Sequence, residues 1–435
     1  MTKERTLKYS LTIAIALIAL TNVWAQDIGR PDANVLGEED VILQWNRVLQ
    51  QTISTPGQHP PRIFPVRSFA MMHAAMFDAV NSIDGRYTPY IAAIRSYGRR
   101  ASEKAAAAQA ARDVLVALYP TRQAVFDAEL ADSLQGVSVV GSYYGTLIGR
   151  AAAENLLAVR ANDGWNLPFP PFTLPATPGN WQPIPPSTGA AFTQVPAVLP
   201  FALDSAYQFT SNPPPSLTSD EYARDLNEVK EIGSATSATR TADQTKVAQL
   251  WANVNTPTTV WYVWNNVART VAIQRGNSTA ENARLFALLN IAHHDALQTT
   301  MTSKFVYGMW RPTTAIRRAD EDGNPDTSPD VNWTSLLGVP PYPTYSGNHA
   351  TIGTSNATIL ALFFGRDDIR FQHTWEGAGG ATRSYPGFNA MADEEERSRV
   401  YGGLHFTFDQ HAGQSAGRNV ANFVFLNLMR PRGHN

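Results

Sequence analysis

The 435-residue chain contains no cysteine, which excludes disulfide bonds, thiolate metal sites and cysteine nucleophiles. Charge is also scarce: 17% of the residues are charged and the formal net charge is -2, so the basic excess that favours a nucleic-acid partner is missing. Any bound anion must therefore meet a local cluster of cations. Apolar residues are abundant, at 43%, which is enough for a large core in one big or two ordinary domains.

Long apolar runs are limited to one stretch near the N-terminus. Residues 1–8 carry a net positive charge, residues 11–20 are apolar, and Ala25 follows at a cleavage position, so residues 1–25 have the pattern of a signal peptide. The alternative is an N-terminal membrane anchor, but the apolar run is shorter than the roughly 20 residues that span a bilayer. We expect a secreted or periplasmic mature chain without a stable membrane span.

Apolar residues recur at helical spacing on both sides of a proline-rich segment. The pattern predicts helices over residues 41–53, 68–80, 102–119, 121–134, 141–159, 218–232, 241–254, 258–275, 278–304 and 350–364. Thr121 is expected to cap the fourth helix, and Ser278 with Glu281 has the pattern of a capping box. Because no alternating strand pattern of useful length is present, we predict an all-α fold with two helical bundles.

The proline-rich segment, residues 164–216, separates an N-terminal helical region, residues 26–163, from a C-terminal helical bundle, residues 217–435. Its prolines exclude regular helices and central strands. They include Pro168, Pro170, Pro171, Pro175, Pro178, Pro183, Pro185 and Pro186. Because the segment also carries Trp165 and Trp181, we expect a strap packed on the surface and not a disordered tether.

Residues 398–409 combine a cation with an oriented histidine. If a helix continues past Gly403, His405 and Asp409 lie four residues apart on one face, where the carboxylate can hold one imidazole nitrogen and leave the other free. Arg399 adds a permanent cation with a planar fork of donors suited to a tetrahedral oxyanion. The stretch therefore indicates an anion site with a nucleophilic or ligating histidine.

Two further stretches carry the same chemistry. Lys304 and Arg311 are seven residues apart, which is two turns if the helix persists. Residues 340–353 form a rigid, proline-rich approach to a turn of small residues, and His349 stands where the next helix begins. Free backbone N–H groups at a helix start favour an anion there. A histidine that only caps this helix is the alternative.

Taken together, these stretches resemble the superfamily of vanadium-dependent haloperoxidases and type 2 phosphatidic acid phosphatases. The superfamily pattern is a lysine, six residues and Arg-Pro; a Pro-Ser-Gly-His turn; and Ser-Arg, five residues, His and, after three more residues, Asp. Residues 304–312 and 398–409 match its first and third parts without a gap, within a resemblance that covers roughly residues 285–425. Residues 71–81 look like the N-terminal part of the secreted bacterial haloperoxidase-like branch. The resemblance implies two helical bundles of the vanadium haloperoxidase type, joined here by the strap.

The resemblance also implies a cofactor, vanadate, or a substrate phosphate in the same place. The residues implied to hold it are Lys304, Arg311, Gly347, Asn348, Arg399 and His405. His349 would be the general acid–base, and His405, with Asp409 behind it, would bond to vanadium or attack phosphorus. Three cations within ~4–6 Å repel by roughly 3–4 kcal/mol per pair at an effective dielectric near 20, and a bound anion relieves that repulsion.

The middle motif departs from the superfamily pattern. Aligned on His349, the expected proline, serine and glycine become Ser346, Gly347 and Asn348, so the hydroxyl donor is missing from its usual position. Either Ser346 or Asn348 compensates, or the site is weakened. Losing one preorganised oxyanion donor typically costs about 2.7–4 kcal/mol in the transition state.

Three more residues are candidates for supporting roles. Asp295, on the predicted helix before Lys304, would hold one of the cations in place. Residues 293–295 also suggest a divalent-metal site, but adjacent histidines on a helix point about 100° apart, which disfavours it. Trp310 and Tyr342 would shape a halide or substrate pocket, with ordinary core packing as the alternative.

Three hypotheses for function follow. The first is a vanadium-dependent haloperoxidase that oxidises halide with hydrogen peroxide. The second is a secreted acid phosphatase in which His405 attacks a phosphate ester and His349 protonates the leaving alcohol. The third is a non-catalytic oxyanion-binding protein, which the altered turn keeps open. The exported character, the large N-terminal helical half and the aromatic neighbours favour the first, and nothing in the sequence fixes an oligomeric state.

Overall fold

Thirteen α-helices, short 3₁₀ turns and one two-stranded sheet account for the regular structure of the computed structural model, which describes residues 39–58, 64–252, 260–376 and 379–432. The predicted signal peptide, residues 1–25, lies outside these ranges. The prediction of a helical-bundle fold is confirmed. None of the helices in the described ranges is long and apolar enough to cross a membrane.

Five helices precede the strap. They are α1 (Val41–Ser54), α2 (Phe64–Asp84), α3 (Glu103–Leu118), α4 (Gln123–Ser133) and α5 (Val139–Arg160). The Ser102 side chain caps α3 by accepting the N–H of Ala105. The expected cap at Thr121 is wrong, because a 3₁₀ turn precedes α4 and the Thr121 hydroxyl donates to Gln58 instead.

Eight helices follow the strap. They are α6 (Asp220–Ile232), α7 (Ala242–Trp251), α8 (Val260–Arg275), α9 (Thr279–Tyr307), α10 (Pro312–Arg317), α11 (Asn348–Phe364), α12 (Phe388–Tyr401) and α13 (Thr407–Asn427). The capping box that starts α9 is confirmed, since Glu281 accepts the N–H of Ser278 and Ser278 accepts the N–H of Glu281. Three of the eight, α9, α11 and α13, pack against one another and frame the site described below.

Helix α9 is the central element of the fold. It is 29 residues long, and its side chains from Asn282 to Lys304 are all buried, on every face of the helix. A helix buried on all sides must be covered by several neighbours, and α9 packs against α2 from the N-terminal half as well as α11 and α13. One apolar cluster accordingly runs from α1 to α13 without a division at the strap.

Between α5 and α6 the chain forms no α-helix and lies against α9. The backbone N–H groups of Phe201, Ala202 and Leu203 donate to the carboxylate of Asp295, at 2.9, 2.7 and 3.1 Å. Trp181 donates its backbone N–H to the carbonyl of Gly308 at 2.7 Å, and its side chain is buried. These bonds satisfy backbone groups that the prolines prevent from pairing in regular structure.

The only strands within the described ranges form a hairpin, β1 (Phe371–Trp375) paired antiparallel with β2 (Ala381–Tyr385). The sequence analysis found no strand pattern of useful length and did not predict this hairpin. Phe371, His373 and Trp375 are buried, and the two residues between them are exposed. This alternation spans only five residues, and the hairpin gains its stability by packing its apolar face on α8.

Candidate anion-binding site

Lys304 lies in the last turn of α9 and is fully buried. Its Nζ donates to the backbone carbonyls of Thr344 and Ser346, each at 2.5 Å, which ties α9 to the turn before α11. Burial, together with the nearby charges of Arg311 and Arg399, lowers the pKa of Lys304 well below its usual value. A negative charge placed beside it would reverse that shift.

Arg311 immediately precedes α10 and is also fully buried. Its Nε donates to the carbonyl of Tyr342 at 2.8 Å, and Nη1 donates to the carbonyl of Leu404 at 3.0 Å and to Nε2 of His405 at 3.1 Å. Its Nη2 has no hydrogen-bond partner among the described residues. Burial lowers the pKa of Arg311 to about 10, so it remains a cation at neutral pH.

Arg399 lies in the last turn of α12 and is 4% exposed. Nη1 donates to the carbonyl of Trp251 at 3.3 Å, whereas Nε lacks a partner in the described part of the chain. Burial lowers the pKa of Arg399 to about 10. Two buried guanidinium groups thus each keep an N–H that no described protein atom accepts, which is unusual for native proteins and suits an anionic ligand.

His405 lies between α12 and α13, so the expectation that one helix carries both His405 and Asp409 is wrong. Helix α12 ends at Tyr401, and Gly403 has φ 75° and passes so close to Gly233 that any Cβ would lie 2.4 Å from its carbonyl oxygen. Asp409 is instead the third residue of α13. Its Oδ2 accepts the N–H of Phe406 at 3.2 Å and lies 3.0 Å from Nδ1 of His405. The predicted pairing of imidazole and carboxylate therefore forms across a helix start.

Thr344 completes this arrangement, and the sequence analysis missed it. Its hydroxyl donates to Oδ2 of Asp409 at 2.5 Å and lies 3.1 Å from Nδ1 of His405. Burial raises the pKa of Asp409 to about 6, an effect that the bonds from Thr344 and the charge of Lys304 oppose. The pKa of His405 is lowered well below its usual value by burial and by the surrounding cations, so its imidazole is neutral. Nε2 then carries the lone pair and points at Arg311.

His349 is the second residue of α11 and belongs to a second buried pair. Its Nδ1 lies 3.0 Å from Oε1 of Glu395, whose Oε2 accepts the indole N–H of Trp264 at 2.8 Å. Burial raises the pKa of Glu395 to about 8, while burial and the charges of Arg399 and Lys304 lower the pKa of His349 well below its usual value. At neutral pH the proton of the pair therefore resides on the carboxyl group.

The sequence analysis also missed Glu395. The available signal was its spacing: Glu395 precedes Arg399 by four residues on α12, so the two side chains share a helix face. Residues 393–396 form an acidic run that is normally exposed, yet Glu395 is fully buried. A buried acid in that run, one turn before a predicted anion-binding arginine, is a candidate partner for a catalytic base.

The turn before α11 places its three residues in different environments. Ser346 accepts the hydroxyl of Thr300 at its carbonyl, 3.0 Å away, and its own hydroxyl lies 3.4 Å from the same side chain. Gly347 donates its N–H to the carbonyl of Asp409 at 2.9 Å and precedes α11. Asn348 is the partly exposed first residue of that helix. The Ser346 hydroxyl is thus directed at α9.

Of the two aromatic residues predicted to shape a pocket, Tyr342 lies at the site and Trp310 does not. The ring of Tyr342 is partly exposed and lies 5.7 Å from Nζ of Lys304 and 5.1 Å from Cζ of Arg311, so it covers two cations. Trp310 is fully buried in a separate apolar cluster with Tyr222, as its core-packing alternative predicted.

The prediction that Asp295 holds a cation of the site is wrong, because its carboxylate binds the strap and Nδ1 of His294. The neighbouring His293 contacts Asn356 at 3.0 Å. The two histidines thus have different partners, in line with their divergence along the helix. No cluster of three potential metal ligands is present in the ranges that the structure describes.

Known proteins resemble this chain in part of its sequence and in its architecture. Residues 284–433 match the VCPO second helical-bundle domain. Over 119 residues the chain is 29% identical to the vanadium chloroperoxidase of Curvularia inaequalis. That alignment covers 23% of this chain and 19% of the relative, so it compares only a small part of the two proteins.

Two solved structures resemble almost the whole chain. The first bacterial vanadium-dependent iodoperoxidase is 24% identical, with a TM-score of 0.74, over 89% of this chain and 95% of that one. A holo-type bacterial vanadium-dependent chloroperoxidase is 17% identical, with a TM-score of 0.69, over 90% and 98%. At these identities the likeness establishes the fold alone. The chain therefore has the helical-bundle fold of the vanadium haloperoxidases, and its residues 284–433 match the VCPO second helical-bundle domain.

Proposed function

We propose that this protein is a vanadate-dependent haloperoxidase that uses hydrogen peroxide to oxidise halide. The observation that carries the proposal is the pair of unpartnered, buried N–H donors, Nη2 of Arg311 and Nε of Arg399, in the same cation cluster as Nε2 of His405. Such donors suit a tetrahedral oxyanion better than they suit a neutral ligand.

The charges of the site fit vanadate. Lys304, Arg311 and Arg399 are buried together, and the pKa of Lys304 is lowered partly by the other two cations. These three side chains would hold the oxygens of vanadate, and His405 would face it with Nε2. Bound vanadate would supply the Lewis-acid centre at which hydrogen peroxide becomes reactive toward halide.

Asp409 and Thr344 orient the histidine for this task. Because the Thr344 hydroxyl donates to Asp409, its oxygen is free to accept, with Asp409, the Nδ1–H of His405. This fixes the tautomer in which the lone pair is on Nε2. A ligand that bonds to Nε2 would displace the Arg311 Nη1–H that this nitrogen accepts.

His349 and Glu395 would manage the protons of the reaction. With the shared proton on Glu395, its O–H donates to Nδ1 and the imidazole keeps its own proton on Nε2. An anion near Arg399 and Lys304 would raise the pKa of His349, since the two charges that lower it would be neutralised. The imidazole would then receive the Glu395 proton at Nδ1 and exchange its Nε2 proton with the reactants.

Halogenation of a dye, measured with hydrogen peroxide and bromide or iodide, tests the proposal. Protein freed of vanadate is compared with protein given orthovanadate, alongside hydrolysis of a phosphate ester. His405→Ala should abolish vanadate-dependent halogenation. The matched control His411→Ala, at an exposed residue of α13, should retain it.

The same assays separate the competing functions. Ester hydrolysis that vanadate inhibits, without halogenation, would overturn the proposal in favour of a phosphatase that uses His405 as nucleophile. Absence of both activities, with orthovanadate still bound, would identify a non-catalytic oxyanion-binding protein.

We also propose export to the periplasm or beyond the cell, on the basis of the signal-peptide pattern in residues 1–25. N-terminal sequencing of protein recovered outside the cytoplasm should begin at Gln26. Retention of residues 1–25 on a membrane-bound form would instead identify an anchor.

A further inference from the structure

Gln410 is a buried side chain with an unusual lack of partners. It is the fourth residue of α13, immediately after Asp409, and it is fully buried. Neither Oε1 nor Nε2 has a hydrogen-bond partner among the described residues. Buried carboxamides are almost always paired, because each unpaired polar atom forfeits the hydrogen bond it would make in water. Both ends of this amide are therefore available to a ligand.

The carboxamide lies directly against Gly347. A Cβ built on Gly347 would lie 2.4 Å from Oε1, 2.8 Å from Cδ and 3.0 Å from Nε2 of Gln410. The amide therefore occupies the space into which a Cβ at residue 347 would project, so a side chain there would require the Gln410 carboxamide to shift. Both residues are joined to the site: Gly347 donates to the carbonyl of Asp409, and the preceding carbonyl, of Ser346, accepts from Lys304.

Neither Ser346 nor Gly347 places a hydroxyl beside the Gln410 amide. Residue 347 has no side chain, and the hydroxyl of Ser346 is next to Thr300 on α9. Gly347 also precedes α11, whose first backbone N–H groups point out of the helix start. The Gln410 amide thus lies against the residue that precedes α11, and the carbonyl of the neighbouring Ser346 accepts from Lys304.

We propose that Gln410 is an anion-binding residue, with its amide N–H₂ donating to the oxyanion in place of a hydroxyl at residue 347. The proposal rests on the anion site of the proposed function but not on the reaction. It predicts that Gly347 and Gln410 act as a matched pair, because a side chain at residue 347 would displace the carboxamide from its present place. The space beside residue 347 can hold either the amide of Gln410 or a hydroxyl on residue 347.

Orthovanadate and inorganic phosphate binding to the full-length mature protein, measured by calorimetry, test this directly. Gln410→Met keeps the volume and removes the donor, so it should weaken binding about 10- to 100-fold, the range for a hydrogen bond to a charged group. Gln410→Glu, which places a carboxylate against the anion, should weaken it more. The matched control is Gln414→Ala, which changes the same residue type one turn later. The Gln414 side chain is bonded to Asp393 and Glu396 and not to the site.

The double variant Gly347→Ser/Gln410→Ala supplies the decisive comparison. A serine hydroxyl in the vacated space should restore binding to within about 3-fold of the unmodified protein, whereas Gly347→Ser alone should weaken it, since the two side chains overlap. Thermal melts establish that each variant is folded. Unchanged affinity in folded Gln410→Met would make Gln410 a packing residue and overturn the proposal, as would a failure of the unmodified protein to bind either anion. Anion binding that depends on Gln410 without any halogenation would refute the proposed function and leave this inference standing.

Discussion

Oε1 of Glu395 lies 3.0 Å from Nδ1 of His349, and the indole of Trp264 holds the other oxygen of the same carboxyl group. The pKa values of the two partners are shifted so that the proton belongs to the acid and not to the imidazole. The site therefore stores one proton next to its candidate acid–base. Anion binding, which favours a charged imidazole, should draw that proton toward His349.

Glu395→Gln should lower kcat of halogenation about 10- to 100-fold, because the amide still bonds Nδ1 but cannot pass a proton to it. In the unmodified protein the pH profile of kcat should contain a transition from the Glu395–His349 pair, and the variant should lose that transition. Glu396→Gln, at the adjacent residue whose partner is Gln414, is the control. Equal pH profiles for the unmodified protein and Glu395→Gln would contradict the proton-relay role.

Burial of Glu395 should also make the anion-free protein less stable as pH rises. Its folded-state pKa of about 8 lies above the ordinary value of 4.5, so folded protein retains a proton that the unfolded chain has lost. Stability from this group is therefore undiminished below pH 4.5, falls through the interval to pH 8 and stays low above it. Thermal melts from pH 5 to pH 9 should show a smaller fall for Glu395→Gln. Glu321→Gln, at an exposed carboxyl group, should keep the original slope, and an unaltered slope in Glu395→Gln would be evidence against the raised pKa.

Thr344→Val should weaken orthovanadate binding about 10-fold or more. The substitution removes the hydroxyl that contacts Asp409 and His405 and leaves a buried carboxylate short of one donor, a loss of about 1.5–3 kcal/mol. Thr344→Ser keeps the hydroxyl and should bind nearly as well as the unmodified protein. Calorimetry gives the dissociation constants, and equal values for the valine and serine variants would show that Thr344 does not orient the histidine.

Asp295→Ala should reduce the free energy of unfolding by about 3 kcal/mol or more, since it leaves three buried backbone N–H groups of the strap without an acceptor. Urea unfolding measures this loss, and limited proteolysis should show new cleavage between residues 161 and 219. Asp368→Ala, at an exposed carboxylate paired with Arg366, is the control. A strap that resists protease in Asp295→Ala would show that the remaining contacts anchor it.

Local signals predicted most of the helices and the core of the anion site. The pairs Lys304 with Arg311 and Arg399 with Asp409 were predicted because each lies within one short stretch of chain, although a helix end separates the two members of each pair. The structure brings all four side chains together with His349 and His405, although their assigned roles remain predictions. The hairpin β1–β2 was not predicted, because an alternation of buried and exposed residues over only five positions often occurs by chance.

The partners that the sequence analysis missed all make contacts between distant segments. Glu395 is 46 residues from His349, and Thr344 is 65 residues from Asp409. Gln410 meets Gly347 only because α11 and α13 cross closely. The break between Tyr401 and Thr407 has the same origin, since the approach of Gly403 to Gly233 from another helix end requires it. The periodicity of a single segment carries no information about contacts between residues that are far apart in the sequence.

The position of α9 bears on how this protein can be divided. Proline-rich connectors usually mark places where a gene can be split into independently folding products, and the segment matched by the second-bundle domain starts at residue 284, inside α9. Yet α9 is covered by α2 on one side and carries the strap on another. Residues 284–433 expressed alone would expose apolar surface that α2 covers in the intact chain. The matched segment is thus not an independent folding unit, and an attempt to express it by itself should yield insoluble protein unless residues 41–160 are supplied in trans.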